Sequence, residues 1–513
     1  MSDWSDGYVT DVDYTHGYYP DLQPRRVQLA LLAARVQPPE ITAACELGFG
    51  QGVTINIHAA AGAERWYGTD FNAAQTAHAQ AMARASGAPL ALRDDAFAQY
   101  SQRDDLPAFD FIALHGIWSW ISDATRDSLI EFIDRRLKPG GVLFVSYNTL
   151  PGWSAFAAIR HLLMEHSLRM SAPGMSNVHR LEAALGFTDK LLAAKPMLTG
   201  GSQRIAQSLD TMRTRNRQYL AHEYLNRNWQ PMYFSQVAEQ LQAVKLSFVC
   251  SADLLNLTDP LNLTPEQSAL LATIPDANYR ETVRDMMVNQ QFRRDYWVRG
   301  PRAISKLEQL EAFRAMRFVL AKAKERVTLA VKGLQGSAQL EEHVYRPLID
   351  FLGDYEARTG QEIETFLTGR GMLAEDVMPS VFLLTGSGCL APAGTAEDAA
   401  RVQAACDGLN AFLHRRARHS VDTSFNASPV LGGGLQVDRF EQLFLLARSE
   451  GLATPAEWAA FTWRFLDAQK HSVLKDGKPL DGEEANLQEL QRLAEKFAAE
   501  ELPLLIKLGI TTA

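Results

Sequence analysis

The stretch Ala43–Asn72 (AACELGFGQGVTINIHAAAGAERWYGTDFN) constrains the fold of this chain more than any other. Ile41–Leu47 is a short, mostly apolar run with strand character. Gly48-Phe49-Gly50-Gln51-Gly52 is a turn that glycine tolerates far better than other residues. Val53–Ala61 has the composition of a helix packed on a sheet. A strand, a Gly-rich turn and a helix start bring backbone N–H groups to where a polar ligand can approach closely. A second apolar segment, Arg65–Gly68, leads to Asp70. A carboxylate about twenty residues after the glycines, at the tip of the second strand, is placed for both hydroxyls of a ribose.

Two cofactor classes use this geometry. A dinucleotide fingerprint wants G-x-G-x-x-G, but here the third glycine arrives one residue early, as Gly52, and Val53 fills the dinucleotide position. The pattern E-x-G-x-G-x-G, with Glu46 ahead of the loop, resembles motif I of the class I S-adenosylmethionine (SAM) methyltransferases. The resemblance implies an α/β, Rossmann-like core with SAM as cofactor. It assigns Glu46, Gly48, Phe49, Gly50 and Gly52 to the cofactor's aminoacid tail, and Asp70, Phe71 and Asn72 to the ribose. At the adenine it expects Asp95, Ala96 and Phe97, Asp95 rather than Asp94 because the small and aromatic pair directly follows it.

Along the chain, Asp11–Pro24 is rich in tyrosine, and Tyr14, Tyr18 and Tyr19 are candidate lid or substrate residues. Helical periodicity runs through Arg25–Val36 and Ala73–Ser86, and Pro89–Leu92 reads as a third strand. Phe109–His115 is a buried fourth strand, Ser128–Leu137 a helix, Lys138-Pro139-Gly140-Gly141 a turn, and Val142–Tyr147 a fifth strand. In the class I fold the end of strand four faces the sulfonium methyl, so His115, Gly116, Trp118 and Trp120 are expected near the chemistry.

YGTDFN, HGIWSW and SYNTLPGW together resemble bacterial methyltransferases that carry a methyltransferase regulatory segment, a group that includes rickettsial-type protein-lysine methyltransferases acting on outer-membrane protein. His222-Glu223-Tyr224-Leu225-Asn226, Tyr233-Phe234 and Lys245-Leu246-Ser247-Phe248 are similar to that segment itself. The resemblance is strongest from Glu46 to Gly300, with Phe49 standing where Cys or Ser is usual.

A chain of 513 residues suggests about three domains of roughly 100–200 residues. Leu246–Cys250 and Phe292–Val298 are expected to complete the sheet, so that 1–152 and 229–300 form the methyltransferase core. Residues 153–228 then form a helical insertion, a cap or a dimerisation element. It is locally basic, with nine Lys/Arg against five Asp/Glu between Pro151 and Leu225, including Arg213, Arg215 and Arg217. Residues 301–396 resemble a winged-helix module, with Phe318–Leu320 and Val327–Val331 as a hairpin and three helices ending at Leu384. Residues 397–513 read as mostly helical. Gly432-Gly433-Gly434 precedes no Lys-Ser/Thr pair and reads as a turn, not a phosphate loop.

The net charge of −9, with no long basic run, argues against nucleic acid as a partner. Cys45, Cys250, Cys389 and Cys406 lack metal-ligand spacing, which points to no metal and to a reducing, cytoplasmic setting. The N-terminus is acidic and polar, without the pattern of a signal peptide, and no run reaches the roughly 18 apolar residues of a membrane span. The resemblance implies SAM-dependent N-methylation of lysine on a protein substrate, with a small-molecule methyltransferase or a non-catalytic SAM-binding interaction protein as alternatives, and a homodimer as a candidate assembly. Aromatic rings desolvate an amine and favour positive charge over their faces, and a histidine can relay a proton. The candidate catalytic set is therefore Tyr14, His115, Trp118, Tyr147 and His222, with His115, Tyr147 and His222 expected around one opening.

Overall fold

The computed structural model describes residues 16–512 apart from 173, 200–208, 211 and 213–216. Seven strands form its main sheet: β1 Ala43–Leu47, β2 Arg65–Thr69, β3 Leu90–Arg93, β4 Phe109–Leu114, β5 Leu137–Asn148, β6 Leu246–Ser251 and β7 Phe292–Arg299. Their order is β3-β2-β1-β4-β5-β7-β6. β1 to β5 are mutually parallel, while β7 runs antiparallel to both β5 and β6. Every residue of β4 is buried, as a strand covered on both faces must be. The strand order reverses between β1 and β4, and the crevice beyond their carboxyl ends is where an open α/β sheet binds ligands. The two segments expected to complete the sheet do so.

The Lys138–Gly141 run is not a turn before the fifth strand. β5 already begins at Leu137, and its partner changes from Phe109↔Leu137 to Phe111↔Val142, so the prolyl-glycyl run is a bulge within the strand. Gly140 takes φ +77° there, a conformation that disfavours a side chain.

The helices Leu150–Met170, Asn177–Ala193 and Arg217–Leu225 form the insertion around a core of Trp153, Ile159, Leu163, Leu181, Leu220 and Tyr224. Arg213 and Arg215 of the basic run lie outside the described residues. Beyond β7, β8 Arg317–Leu320 does not pair with the segment at 327–331. β9 Ala330–Gly333 instead pairs with β10 Gly336–Gln339 across a two-residue turn. β8 lies between β11 Arg358–Thr359 and β12 Leu390–Ala393. Phe318, Val319 and Leu320 are fully buried and take the interior place in that sheet.

The C-terminal region packs directly on the methyltransferase core. α1 Pro24–Ala33, α2 Val53–Ala61 and α3 Ala73–Ser86 belong to the core, and all nine residues of α2 are buried. Helix Ala396–Arg416 crosses α2 and α3: Cys406 Sγ donates to Ala60 O at 3.3 Å, and Gly408 sits where a Cβ would collide with Ala85 O. The hairpin of β13 Phe425–Ser428 and β14 Gly433–Gln436 closes over α2. One apolar cluster runs from Leu22 through Phe111 and Phe318 to Leu508, so the flanking modules share their interior with the sheet.

Candidate active site

The loop after β1 is shaped by three glycines in the left-handed region, Gly48 at φ +76°, Gly50 at +56° and Gly52 at +73°. Asp70, at the end of β2, ties the loop down. Its Oδ2 accepts the Gly50 N–H at 2.8 Å and its Oδ1 the Asn72 N–H at 3.0 Å. Burial pushes the Asp70 carboxyl up to about 6, against the opposing pull of those two amides. Glu46, at the end of β1, is buried, and its Oε2 has no hydrogen-bond partner. Burial, and then the charge of Asp70, push its carboxyl up to about 8. Glu46, the loop glycines, Tyr19 and His115 line one small cavity. A pocket lined by a buried carboxylate with a partnerless oxygen, with a second buried carboxylate just behind the loop, suits a ligand that carries positive charge.

The walls are close. A Cβ on Gly48 would collide with Ile117 Cδ1 and lie 3.4 Å from Phe97 Cζ, while one on Gly68 would meet Glu46 O at 2.9 Å and the Phe49 ring at 3.0 Å. Ile117 and Phe97 thus supply an apolar side next to the loop. Gly52 has a second role, since a Cβ there would collide with Ala79 of α3. The early third glycine lets α2 and α3 approach. Asp95 lies two residues beyond β3, with its carboxylate paired to Arg103 at 3.1 Å and its carbonyl accepting the Thr69 hydroxyl at 2.5 Å. Ala96 caps the short helix Phe97–Ser101, and its N–H donates to Gln99 Oε1 at 3.0 Å. Asn72 spends its side-chain oxygen capping α3 through the N–H groups of Ala74 and Gln75, and Phe71 beside it is half-buried.

His115 forms the far wall. Its ring stacks on Tyr19 with centroids 3.6 Å apart and planes 26° apart, and on Phe144 at 5.9 Å. The neighbouring Gly116 N–H donates to Ser146 Oγ at 2.7 Å. Tyr19 and His115 also line a cavity of about 1020 Å³, so this stacked pair separates the two spaces. The larger cavity lies where β6 and β7 meet helix Ala277–Val288. In its lining Arg293 is the hub. Its guanidinium donates to Asp295 at 2.7 Å, Asp285 at 2.6 Å and Glu281 at 3.0 Å, and lies 4.4 Å over the Phe234 ring. Three carboxylates surround one cation.

Family models match this architecture in two places: one described as a methyltransferase domain over residues 44–141, and one described as a predicted methyltransferase regulatory domain over 216–299. An uncharacterized protein of Synechocystis sp. is 35% identical over 513 residues, spanning 99% of this chain and 100% of its own length. An uncharacterized protein of Rickettsia prowazekii is 24% identical over 294 residues, 55% of this chain and 51% of its own. Among solved structures, PKMT2 from Rickettsia typhi in complex with AdoHcy shares the fold at a TM-score of 0.68 and 17% identity, over 94% of this chain and 98% of its own. The chain belongs to the class I SAM-dependent methyltransferases.

In this methyltransferase the partnerless Oε2 of Glu46 is the group of the cradle whose chemistry suits the ammonium of the cofactor's aminoacid tail. Glu46 and the loop glycines line the cavity, Asp70 holds the loop from behind through the Gly50 amide, and Phe97 and Ile117 flank Gly48. Ile117 and Gly68 were not singled out from the sequence; their positions, inside HGIWSW and two residues before Asp70, were the available signal.

Several expected neighbours of the chemistry lie elsewhere. Trp118 is fully buried in the apolar core that includes Ile112, Leu114 and Val145, with Arg126 5.8 Å over its ring. Tyr147 belongs to that same core. Side chains alternate along β5, so Phe144 and Ser146 face His115 and Gly116 while Tyr147 turns to the other face. Its hydroxyl donates to Asp295 Oδ2 at 3.0 Å. His222 is buried on helix Arg217–Leu225, within the insertion, and no described residue of that insertion lines either cavity. The single opening of His115, Tyr147 and His222 is therefore not formed. Tyr14 lies outside the described residues. His115 does sit at the junction, yet burial, and then Arg294, pull its imidazole down to about 3. The ring is thus held neutral as a stacked wall, and its buried Nδ1 has no hydrogen-bond partner.

The paired carboxyls make a pH prediction. Both pKa values lie above those of an unfolded chain, so the ligand-free protein favours the protonated forms and loses stability as pH rises through about 6 and then about 8. A cationic ligand favours the ionised forms. SAM affinity is therefore expected to rise across that window, and Glu46→Gln to flatten its upper part. Calorimetry giving the same SAM affinity at both ends of the window would refute the pairing.

Proposed function

We propose that this methyltransferase N-methylates lysine side chains of a protein substrate. The observation that carries the reading is the carboxylate excess around Arg293, in a cavity that shares the Tyr19–His115 wall with the cofactor cradle. SAM, when bound, supplies an electrophilic methyl on a sulfonium. The protein's tasks are to hold the amine in line with that methyl and to keep water out. Glu281 and Asp285 attract an ammonium group. Tyr19 and Phe292, which also line the cavity, desolvate it and so lower the cost of losing its proton. The amine sheds one proton before it attacks. Asp285, whose carboxyl burial raises to about 6, is the acceptor that the cavity offers.

A small-molecule substrate is the second reading, favoured by a cavity volume of about 1020 Å³, close to the upper range of small-ligand pockets. Incubating the full chain with methyl-labelled SAM and a lysate of its own source separates the two. Label in protein bands as methyl-lysine supports the first reading, and label confined to small metabolites supports the second. No label anywhere, with SAM binding intact, leaves a SAM-binding interaction protein and overturns both.

The remaining assignments follow as proposals. Residues 1–152 and 229–300 act as the catalytic unit, with 397–513 as a helical region closed over it. Residues 301–396 are read as a winged-helix-like docking module. Helix Lys306–Ala315, helices Gly360–Thr368 and Ala374–Gly386 and the β11-β8-β12 sheet support this reading, and cross-links from a trapped substrate to this module would test it. A second copy is the proposed partner of the insertion, where Leu168, Met170, Phe187, Met197 and Leu198 are exposed; a monomer by sedimentation would end that proposal. Four buried free thiols support a reducing, cytoplasmic setting, and fractionation of source cells tests it. Among the described residues, no helix is long and apolar enough to cross a membrane.

A further inference from the structure

We infer that Gly432-Gly433-Gly434 of the C-terminal region is a seat that positions Tyr19 at the wall of the cofactor cradle, an inference that rests on reading that cradle as the SAM site. The triplet carries no phosphate-loop signature, yet its three residues meet one short segment at the opposite end of the sequence. A Cβ on Gly434 would lie 2.8 Å from Tyr18 Cζ, and one on Gly433 would lie 2.7 Å from the Tyr18 hydroxyl and 3.0 Å from Gln23 Cδ. A Cβ on Gly432 would collide with the Arg25 guanidinium. Hydrogen bonds complete the attachment. The Gly434 N–H donates to the Tyr18 hydroxyl at 2.7 Å, and Gln23 Nε2 donates to Leu431 O at 2.5 Å. His58 Nε2 faces the same hydroxyl at 3.1 Å.

Consecutive side chains of an extended segment point in opposite directions, and this strap uses both. Tyr18 goes down into the seat, and Tyr19 goes across to stack on His115. Thr54 of α2 holds the backbone between them, accepting the Tyr19 N–H at 3.0 Å and donating to Gly17 O at 3.2 Å. Downstream, Asp21 pairs with Arg294 at 2.6 Å, and its carbonyl accepts the Tyr296 hydroxyl at 2.5 Å. The strap is thus pinned to the sheet on one side and to the C-terminal region on the other. Tyr19, the residue between the pins, closes the cradle. A region remote in sequence thereby acts as a positioning element for the cofactor wall.

The test is the release of S-adenosylhomocysteine from the full chain, followed by stopped flow. Gly434→Ala adds a methyl against the Tyr18 ring at a position whose backbone conformation permits alanine, so the opposition is steric. With Tyr19 displaced, release is expected to be about tenfold faster, since changes of this kind appear mainly in the off-rate. Gln23→Ala removes one anchor without inserting a group, and about threefold faster release is expected. Arg492→Ala is the control: it breaks the pairing of the exposed Arg492 side chain with Glu489 in the same C-terminal region, away from the strap, and release is expected to stay within about twofold of wild type. Equal release from all three variants overturns the seat. If Gly434→Ala does not fold, wild-type release from Gln23→Ala overturns it equally. A wild-type chain that binds no S-adenosylhomocysteine overturns the cofactor reading, and the seat with it.

Discussion

Gly50→Val abolishes SAM binding, read by calorimetry as a loss of at least about 100-fold in affinity, beyond about 2.7 kcal/mol. Two effects combine. Gly50 sits at φ +56°, where a β-branched side chain is strained, and it lines the cradle that the side chain would enter. Its N–H also fixes Asp70 at 2.8 Å, so a backbone that relaxes to relieve strain gives up the carboxylate. Asp70→Ala is expected to weaken binding by less, about 1–3 kcal/mol, because it frees the Gly50 and Asn72 amides that hold the loop. NADH does not bind the wild-type chain, since the third glycine, Gly52, comes one residue early against Ala79 and Val53 fills the dinucleotide position. Unchanged SAM affinity in both variants would sink the cofactor assignment.

The cradle was legible because its constraints are local. Glycine spacing, one acid before the loop and one at the next strand end lie within about 25 residues, and backbone sterics leave few ways to satisfy them. The closure of the sheet was legible for a related reason: after β5 the chain offers Leu246–Ser251 and Phe292–Arg299 as segments of strand length before Gly300, the second carrying its apolar residues in Tyr296-Trp297-Val298. Distance in sequence defeated the rest. β8 was assigned its nearest strand-like neighbour, whereas its partners begin at Arg358 and Leu390. The glycine triplet had no readable function because the ring it accommodates is 416 residues away. Tyr147 is a different case. The period-two alternation from Phe144 already placed it on the face opposite His115, and the aromatic-rich context of YNTLPGW outweighed that simpler argument. His222 was grouped with the site because the HEYLN stretch, similar to the regulatory segment, was expected to return to the same mouth, and its own helix buries it inside the insertion.

Arg293→Met is expected to be the most damaging single change to stability, about 3–5 kcal/mol, because it removes the one cation from a buried cluster and leaves its carboxylates unpaired. The side chain is 6% exposed and reaches Asp295, Asp285 and Glu281 with separate N–H groups. Its backbone position enforces this arrangement. In the β5–β7 ladder Arg293 stands opposite Tyr147 and Asp295 opposite Val145, so Arg293 and Asp295 project on one face beside the Tyr147 hydroxyl. Methionine approximates the length of the side chain and its packing on Phe234, which isolates the charge from the volume. The effect depends on pH. In wild type burial already raises Asp285 to about 6 despite Arg293, and without the guanidinium the carboxyls rise further. A carboxyl raised above its unfolded value favours folding when protonated and loses that contribution as pH rises. The gap between variant and wild type therefore widens from acid to neutral pH. Asp285→Asn costs far less, within about 1 kcal/mol, since it removes a charge that burial already disfavours and keeps a hydrogen-bond acceptor for Arg293. Denaturant titrations of both variants at acid and neutral pH provide the check. An Arg293→Met protein as stable as wild type at neutral pH, or one whose deficit does not shrink on acidification, would show that the guanidinium is not what holds the three carboxylates together.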